Sequence, residues 1–259
     1  MLNPTTNKAE LYRFLSQSPE LQLYAIGDLE DYFWSRCRYF AHWENGQIVA
    51  VIVVYQTPDL PIVLALGDRT DLLSSMLVEL LPTLGERVYA HVSDGCVPAV
   101  QSVMRTTYHE RQRRMILRQH PQPAAHTEAI TVFGPADAER LSNFYQLSYP
   151  NNWFDPDMLS QHTFTGYVHH HQLVSVAGIH VYSPTYQVAA LGNIATHPDF
   201  RGQGFAGQCI AALCERLLTT VELIGLNVHS ENTSAIQCYE KIGFETFADF
   251  SEMMLERAG

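Results

Sequence analysis

At 259 residues, 46% hydrophobic and only 17% charged, the chain is too apolar for a disordered polypeptide and long enough for one large domain or two small ones. Sixteen Lys and Arg against 27 Asp and Glu leave a net charge of -11, which repels a nucleic-acid backbone and an anionic membrane surface, so neither is an expected partner. Apolar runs such as 48–55 fall well short of the roughly 18 residues a membrane helix needs, no basic-then-apolar leader opens the chain, and Cys37, Cys96, Cys209, Cys214 and Cys238 form no Cys-x-x-Cys pair. The expectation is a soluble, cytoplasmic protein with neither a disulfide framework nor a metal site.

Helical periodicity covers 8–15, and the apolar stretch 21–33 also reads as helix. Apolar runs at 38–43 and 47–55 flank Glu44-Asn45-Gly46, and an Asn-Gly pair in that setting is the strongest short-range hairpin signal. After a proline-bounded loop at 58–61 the pattern predicts a strand (62–66), a helix (70–84), a strand (88–92), a short helix from about Pro98 and a strand near 114–117. Residues 119–126, with Pro121 and Pro123, break the pattern and read as a linker. The same order then returns: helices at 135–147 and 156–162, a hairpin over 164–182, a strand (186–196), a helix (204–218), a strand (223–228), a helix (233–242) and closing strands near 246–248 and 252–255. Two short echoes accompany it. Gln47-Ile48-Val49-Ala50-Val51 matches Gln172-Leu173-Val174-Ser175-Val176, and Ala99-Val100-Gln101 matches Ala235-Ile236-Gln237. The expected fold is α/β, with two tandem domains at 1–118 and 127–259, each a mixed, mostly antiparallel sheet flanked by helices.

The chemistry concentrates in Gly192-Asn193-Ile194-Ala195-Thr196-His197-Pro198-Asp199-Phe200-Arg201-Gly202-Gln203-Gly204-Phe205-Ala206-Gly207, where a strand enters a glycine-rich turn that opens into an amphipathic helix. Glycines let backbone approach a ligand, the first helical N-H groups and the positive dipole end suit a phosphate, and Arg201 adds positive charge. Gly202-x-Gly204-x-x-Gly207 also matches the dinucleotide fingerprint. Against that reading, His197 to Arg201 separate the strand from the first glycine, and Glu222 precedes the next strand where the ribose-binding acid should end it.

Arg201, Gly204 and Ala206 instead match Arg/Gln-x-x-Gly-x-Gly/Ala, the acetyl-coenzyme A signature of the GCN5-related N-acetyltransferase superfamily, which this stretch resembles. A second family motif follows: Leu226-Asn227-Val228-His229-Ser230-Glu231-Asn232-Thr233-Ser234-Ala235-Ile236-Gln237-Cys238-Tyr239-Glu240-Lys241-Ile242-Gly243-Phe244 resembles the family's strand, Asn-x-x-Ala, Tyr and Gly-Phe ending. The resemblance covers about 127–256, and the first half only by order of elements. It implies acetyl transfer from acetyl-coenzyme A to the primary amine of a small molecule or peptide, by direct attack. Backbone groups of Ile194, Ala195 and Thr196 would bind the pantetheine arm like an added strand and polarise the thioester. Arg201, Gly202, Gln203, Gly204, Phe205, Ala206 and Gly207 would hold the pyrophosphate. Asn232 would contact the donor, although it also reads as an ordinary helix N-cap. Tyr239 would protonate the departing thiolate, although a tyrosine facing a sheet also serves as core.

The pattern departs from the family at Asn227, where many members carry a glutamate base. An amide takes no proton, so His180, His229, a water chain or an amine of low pKa are the open alternatives, and a non-catalytic acetyl-coenzyme A-binding module is the alternative function. His169-His170-His171 resembles a metal cluster, but consecutive strand residues alternate faces and a solvated turn is expected. In the first half, Gly67-Asp68-Arg69-Thr70-Asp71 stands where the glycine turn should be, and Cys96 and Val103 stand in for Asn232 and Tyr239. A degenerate copy without its own donor site is expected there, an arrangement similar to glycine N-acyltransferase-like relatives. The acceptor's identity and the oligomeric state stay open.

Overall fold

The computed structural model describes residues 2–124 and 127–257, so Ala125 and His126 of the expected linker lie outside the described residues. The chain packs as two compact units: residues up to 114 with 228–231 and those from 247 onward form the first, and 115–227 with 232–246 the second.

The first unit runs β1 (Pro4–Thr5), α1 (Lys8–Leu15), α2 (Leu23–Gly27), α3 (Asp31–Trp34), β2 (Cys37–Glu44), β3 (Gln47–Gln56), β4 (Pro61–Ala65), α4 (Thr70–Leu80), β5 (Arg87–Val92), α5 (Val97–Val103) and most of β6 (Arg105–Leu117). Asn45 and Gly46 adopt φ of 51° and 76°, so the hairpin closes through the two-residue left-handed turn that an Asn-Gly pair favours. The second unit runs β7 (Ile130–Phe133), α6 (Ala138–Ser148), α7 (Met158–Gln161), β8 (Phe164–His169), β9 (Gln172–Ser183), β10 (Val188–Thr196), α8 (Phe205–Leu217), most of β11 (Leu223–His229) and α9 (Thr233–Ile242). The last strand, β12 (Phe244–Glu256), pairs antiparallel with β5 from Ser251↔Val92 to Glu256↔Arg87, and so completes the first unit from the far end of the chain. The packing units therefore do not follow a single cut at 119–126.

In the first unit β4–β5 is a parallel pair beside antiparallel β1–β2, β2–β3, β3–β4 and β5–β12, and in the second β10–β11 is a parallel pair beside antiparallel β7–β8, β8–β9 and β9–β10. The first core packs Ile52, Val54, Val63, Ala90, Met253 and Leu255 against Leu73 and Leu77 of α4, and the second packs Phe164 and Val176 against Leu141 and Tyr145 of α6. Both sequence echoes fall at matching points: Gln47 and Gln172 open β3 and β9, and the Ala-x-Gln triplets lie within α5 and α9.

Several elements differ from the expectation. The helix expected at 21–33 begins only at Leu23, the carbonyls of Glu20 (3.2 Å) and Leu21 (2.7 Å) being taken by the buried Arg114 guanidinium, and it divides into α2 and α3 where Glu30 is extended. The helix expected at 70–84 ends at Leu80, where Pro82 tightens the chain into a 3-10 turn. The strand expected near 114–117 reaches back to Arg105, and the two closing strands are one continuous β12. The short edge strand β7 was not among the predicted elements. His170 and His171 form the β8–β9 turn with φ of 46° and 67°, and no group of potential metal ligands occurs among the described residues.

Candidate active site

The predicted residues Ile194, Ala195, Thr196, Arg201, Gly202, Gln203, Gly204, Phe205, Ala206, Gly207, Asn232 and Tyr239 all belong to the second unit, on β10, the turn after it, α8 and α9. What positions them is a fork in the sheet. The parallel ladder between β10 and β11 runs from Val188↔Leu223 to Leu191↔Leu226 and ends there. Beyond it β10 continues alongside β9, with Ala195↔Val176 and Thr196↔Ser175, across a register shift between Gly192 and Ala195. Asn193 lies in this irregular stretch with φ of 50°, and the Tyr145 hydroxyl donates to its carbonyl at 2.5 Å. The Ala195 carbonyl accepts from Ser175 Oγ at 3.0 Å, while Ile194 and Thr196 stay partly exposed. Past the fork, β10 thus offers backbone beyond the end of its ladder with β11, the form in which a strand accepts an extended ligand.

The turn that follows is held by hydrogen bonds to β9, to its own strand and to α6. His197 N donates to Val174 O (2.8 Å), a 3-10 turn covers Pro198–Phe200, and Arg201 donates from Nε to Thr196 O (3.2 Å) and from its terminal nitrogen to Ser148 O (3.3 Å). Arg201 is therefore first a clamp, tying the end of α6 to the strand, and its exposed guanidinium also sets positive charge beside the turn. Gly202 and Gly204 have φ of 76° and 83°, and a Cβ on either would point into open space. Gly204 is the N-cap of α8, with no side-chain cap and no acid in the first turn, and the first intrahelical bond is Gln208 N to Gly204 O. The N-H groups of Phe205, Ala206 and Gly207 precede that bond, so they and the positive end of a 13-residue helix remain for an anion.

On α9 the Asn232 carboxamide oxygen accepts from Ala235 N (3.2 Å) and Ser234 Oγ (3.1 Å), so the N-cap role is real. Tyr239 is 7% exposed, with its ring edge-on to Phe244 at 6.1 Å. Gly243 ends the helix at φ of 114°, and a Cβ there would collide with the Gln119 carbonyl at 2.7 Å. Cys238, which packs under Gly207, is pushed toward the neutral thiol by burial.

His180 and His229, the two histidines open as bases, are placed differently. His229 belongs to the first unit and pairs with Glu110. His180, on β9, lays its ring over Gly192, so closely that a Cβ at 192 would lie 2.3 Å from it. Burial holds the ring below the usual histidine range, opposed by a hydrogen bond with the Asn193 side chain. Neither strand periodicity nor motif spacing distinguishes His180; the only sequence signal is a glycine on the neighbouring strand that leaves room for a ring.

Residues 134–244 match the Acetyltransferase (GNAT) family model. An acetyltransferase of Yersinia enterocolitica is 37% identical over 54 residues, which are 20% of this chain, and the match spans 38% of that relative's length. Among solved structures, a Drosophila protein superposes with a TM-score of 0.75 at 12% identity over 98% of both chains. A tandem GNAT protein from the clavulanic acid biosynthesis pathway superposes with a TM-score of 0.57 at 13% identity, covering 100% of this chain and 99% of its own.

Proposed function

We propose that the chain is a tandem acyltransferase of the GNAT superfamily, whose family model residues 134–244 match, and that its second unit transfers an acetyl group from acetyl-coenzyme A to a primary amine by direct attack. The observation that carries the reading is the fork: a strand edge beyond the end of its parallel ladder leads into a glycine turn and an uncapped helix start, which matches a ligand that is extended at one end and anionic at the other. The backbone of Ile194, Ala195 and Thr196 lines the extended part. Gly202, Gln203 and Gly204 let the phosphates approach, the N-H groups of Phe205, Ala206 and Gly207 bind them, and Arg201 and Asn232 flank them. In the transfer the amine nitrogen bonds to the thioester carbon and gives up a proton to a base or to water, the C-S bond breaks, and Tyr239 gives its proton to the leaving sulfur and regains one from solvent.

The acceptor is a small-molecule or peptide amine. The acidic balance of the chain favours a cationic one. No helix among the described residues is long and apolar enough to cross a membrane, and all five cysteines are free, in keeping with a reducing cytoplasm. Calorimetry with acetyl-coenzyme A, followed by thiol release across a panel of polyamines, aminoglycosides and lysine peptides, tests the reading. Binding together with amine-dependent thiol release supports transfer; binding with no release from any amine supports a non-catalytic sensor in its place.

A further inference from the structure

On one face of the second unit three glycines on successive strands each lie under a ring from the strand before. Gly166 of β8 lies under Phe133 of β7, Gly178 of β9 under Phe164 of β8, and Gly192 of β10 under His180 of β9; a Cβ at any of them would come within 2.4 Å of that ring. A ring over a glycine restores packing that the glycine itself cannot supply. Two of the three rings are phenylalanines, which do this without any polar atom to satisfy. The third is an imidazole, and it is the one at the fork, because Gly192 is the first residue of β10 past the last ladder pair Leu191↔Leu226. Asn227, the amide in the family's base position, is the next residue of β11.

The surroundings of this ring fix its tautomer. The Asn193 side chain favours the protonated ring, as an accepting carboxamide oxygen does and a donating nitrogen does not, and its amide nitrogen is directed at Met158 Sδ (3.6 Å). An amide oxygen only accepts, so the imidazole nitrogen it meets carries the hydrogen. Nε2 is out of contact with solvent and has no partner, so the bonded nitrogen is Nδ1 and Nε2 holds the lone pair. The titratable neighbours do not compete for it. His162 bonds the Ile179 carbonyl through its own Nε2 (3.0 Å) and is held down to about 4 chiefly by burial, and Tyr145 gives its hydroxyl hydrogen to Asn193 O. Burial also keeps His180 neutral. A buried acceptor without a donor is uncommon, because the unmade bond is costly.

We propose that His180 Nε2, at the fork of β10 and β11, accepts the proton from the acceptor amine, the task that Asn227 cannot perform. The inference rests on the acetyl-transfer reading. As the nitrogen bonds to the thioester carbon its proton passes to Nε2, leaving an imidazolium whose Nδ1-H is steadied by Asn193. The sulfur departs with the C-S electron pair and takes its proton from Tyr239, so the protein ends the turnover one proton richer at His180 and one poorer at Tyr239, balanced by exchange with solvent on product release.

His180→Phe keeps a ring over Gly192 and removes the base. With the amine that gives the fastest thiol release, kcat/KM for the amine is expected to fall about 100-fold or more, with acetyl-coenzyme A affinity within about twofold. The wild-type pH profile should show an additional acid limb below that of the amine itself, at a pH under the ordinary histidine value of about 6.5, and this limb should vanish in the variant. Turnover within threefold of wild type, or a limb that persists, overturns the role. If His180→Phe does not fold, long-range 1H-15N correlation on the wild-type protein decides: an unprotonated Nε2 at neutral pH supports the proposal, and a protonated Nε2 overturns it. Absence of amine-dependent thiol release from the wild type would instead refute acetyl transfer itself, and the base role with it.

Discussion

The parallel strand pair of each unit ends in opposite ways. In the second unit β10 and β11 part after Leu191↔Leu226, and the turn beyond leads to a helix whose N-terminus is uncapped. In the first, β4 and β5 stay paired to Ala65↔Val92, the last residue of each strand, and the closure continues past it: Ser93 N donates to Ala65 O (3.0 Å), Gly67 N donates to Ser93 Oγ (3.0 Å) and Ser93 Oγ donates to Gly67 O (3.1 Å). The helix that follows, α4, carries Asp71 in its first turn, gripped at both oxygens by Arg69 (3.1 Å each), and Thr70 packs against Gly95. One sheet motif thus yields an open slot or a sealed joint. A few side chains at the strand ends decide which, while the core that supports each version is equally apolar.

The largest expected effect comes from giving the open turn the charge of the closed one. Gly204→Glu is expected to abolish acetyl-coenzyme A binding in calorimetry, because a carboxylate would stand before the N-H groups of Phe205 to Gly207. The position has φ of 83°, so any side chain there adds backbone strain of roughly 1–2 kcal/mol. Gly204→Ala separates that strain from the charge and should retain measurable binding; equal loss in both variants would mean that backbone freedom, and not the anion site, is what matters. Next in size is Tyr239→Phe, which keeps the ring on Phe244 and should lower turnover about 100-fold with unchanged donor affinity. A fall of less than about threefold would assign the proton to another group or to water.

Much of the contrast is legible in the sequence. Three glycines and an arginine before an apolar helical stripe announce the open turn, and two aspartates around Arg69 announce its loss. The alternation of elements and the Asn-Gly hairpin are equally local signals, which is why they hold in the structure. The fork is not legible, because strand pairing depends on a neighbour more than 30 residues away, and Gly192-Asn193 where the ladder ends signals a local irregularity in β10 without saying which neighbour it loses. β6 is legible only at its apolar end, because positions 105–113 are mostly polar and partly exposed, and polar alternation reads as loop. The sequence leaves His180 and His229 open alike, and only the packing of His180 on Gly192 and Asn193 and the pairing of His229 with Glu110 separate them.

The sealed joint also sets a stoichiometry. One acetyl-coenzyme A per chain is expected, since the first unit has Asp71 and Arg69 paired over the start of α4 and Ser93 bonded where the slot would open. Cys96, buried with its thiol turned to Thr70 O (3.8 Å), and Val103 stand where the second unit has Asn232 and Tyr239, so neither the carboxamide nor the phenol has a counterpart there. Two equivalents in a calorimetric titration would show that the sealed joint opens for ligand, and the contrast between the units would fail.

The smallest effect on activity is expected from a buried carboxyl in the first unit. Asp28, 5% exposed at the end of α2, is pushed by burial from the usual carboxylate value up to about 7. Its folded form therefore binds the proton more tightly than the unfolded chain, which releases it near 3.9. Between those two values the folded state holds more protons, so stability is greatest at the acid end and declines as pH rises, with the full penalty present above about 7. Three pKa units set an upper bound of about 4 kcal/mol, and a part of that amounts to a few degrees in Tm for a chain of this size. Asp28→Asn removes the titration while keeping the shape, so its Tm should exceed that of the wild type at pH 8 and the gap should narrow toward pH 5. A gap of equal size at both values would mean that burial is not what perturbs Asp28. Because the change lies in the unit with the sealed joint, donor affinity and turnover should stay within about twofold of wild type at pH 8; a larger change would give the first unit a part in catalysis that its closed strand pair denies it.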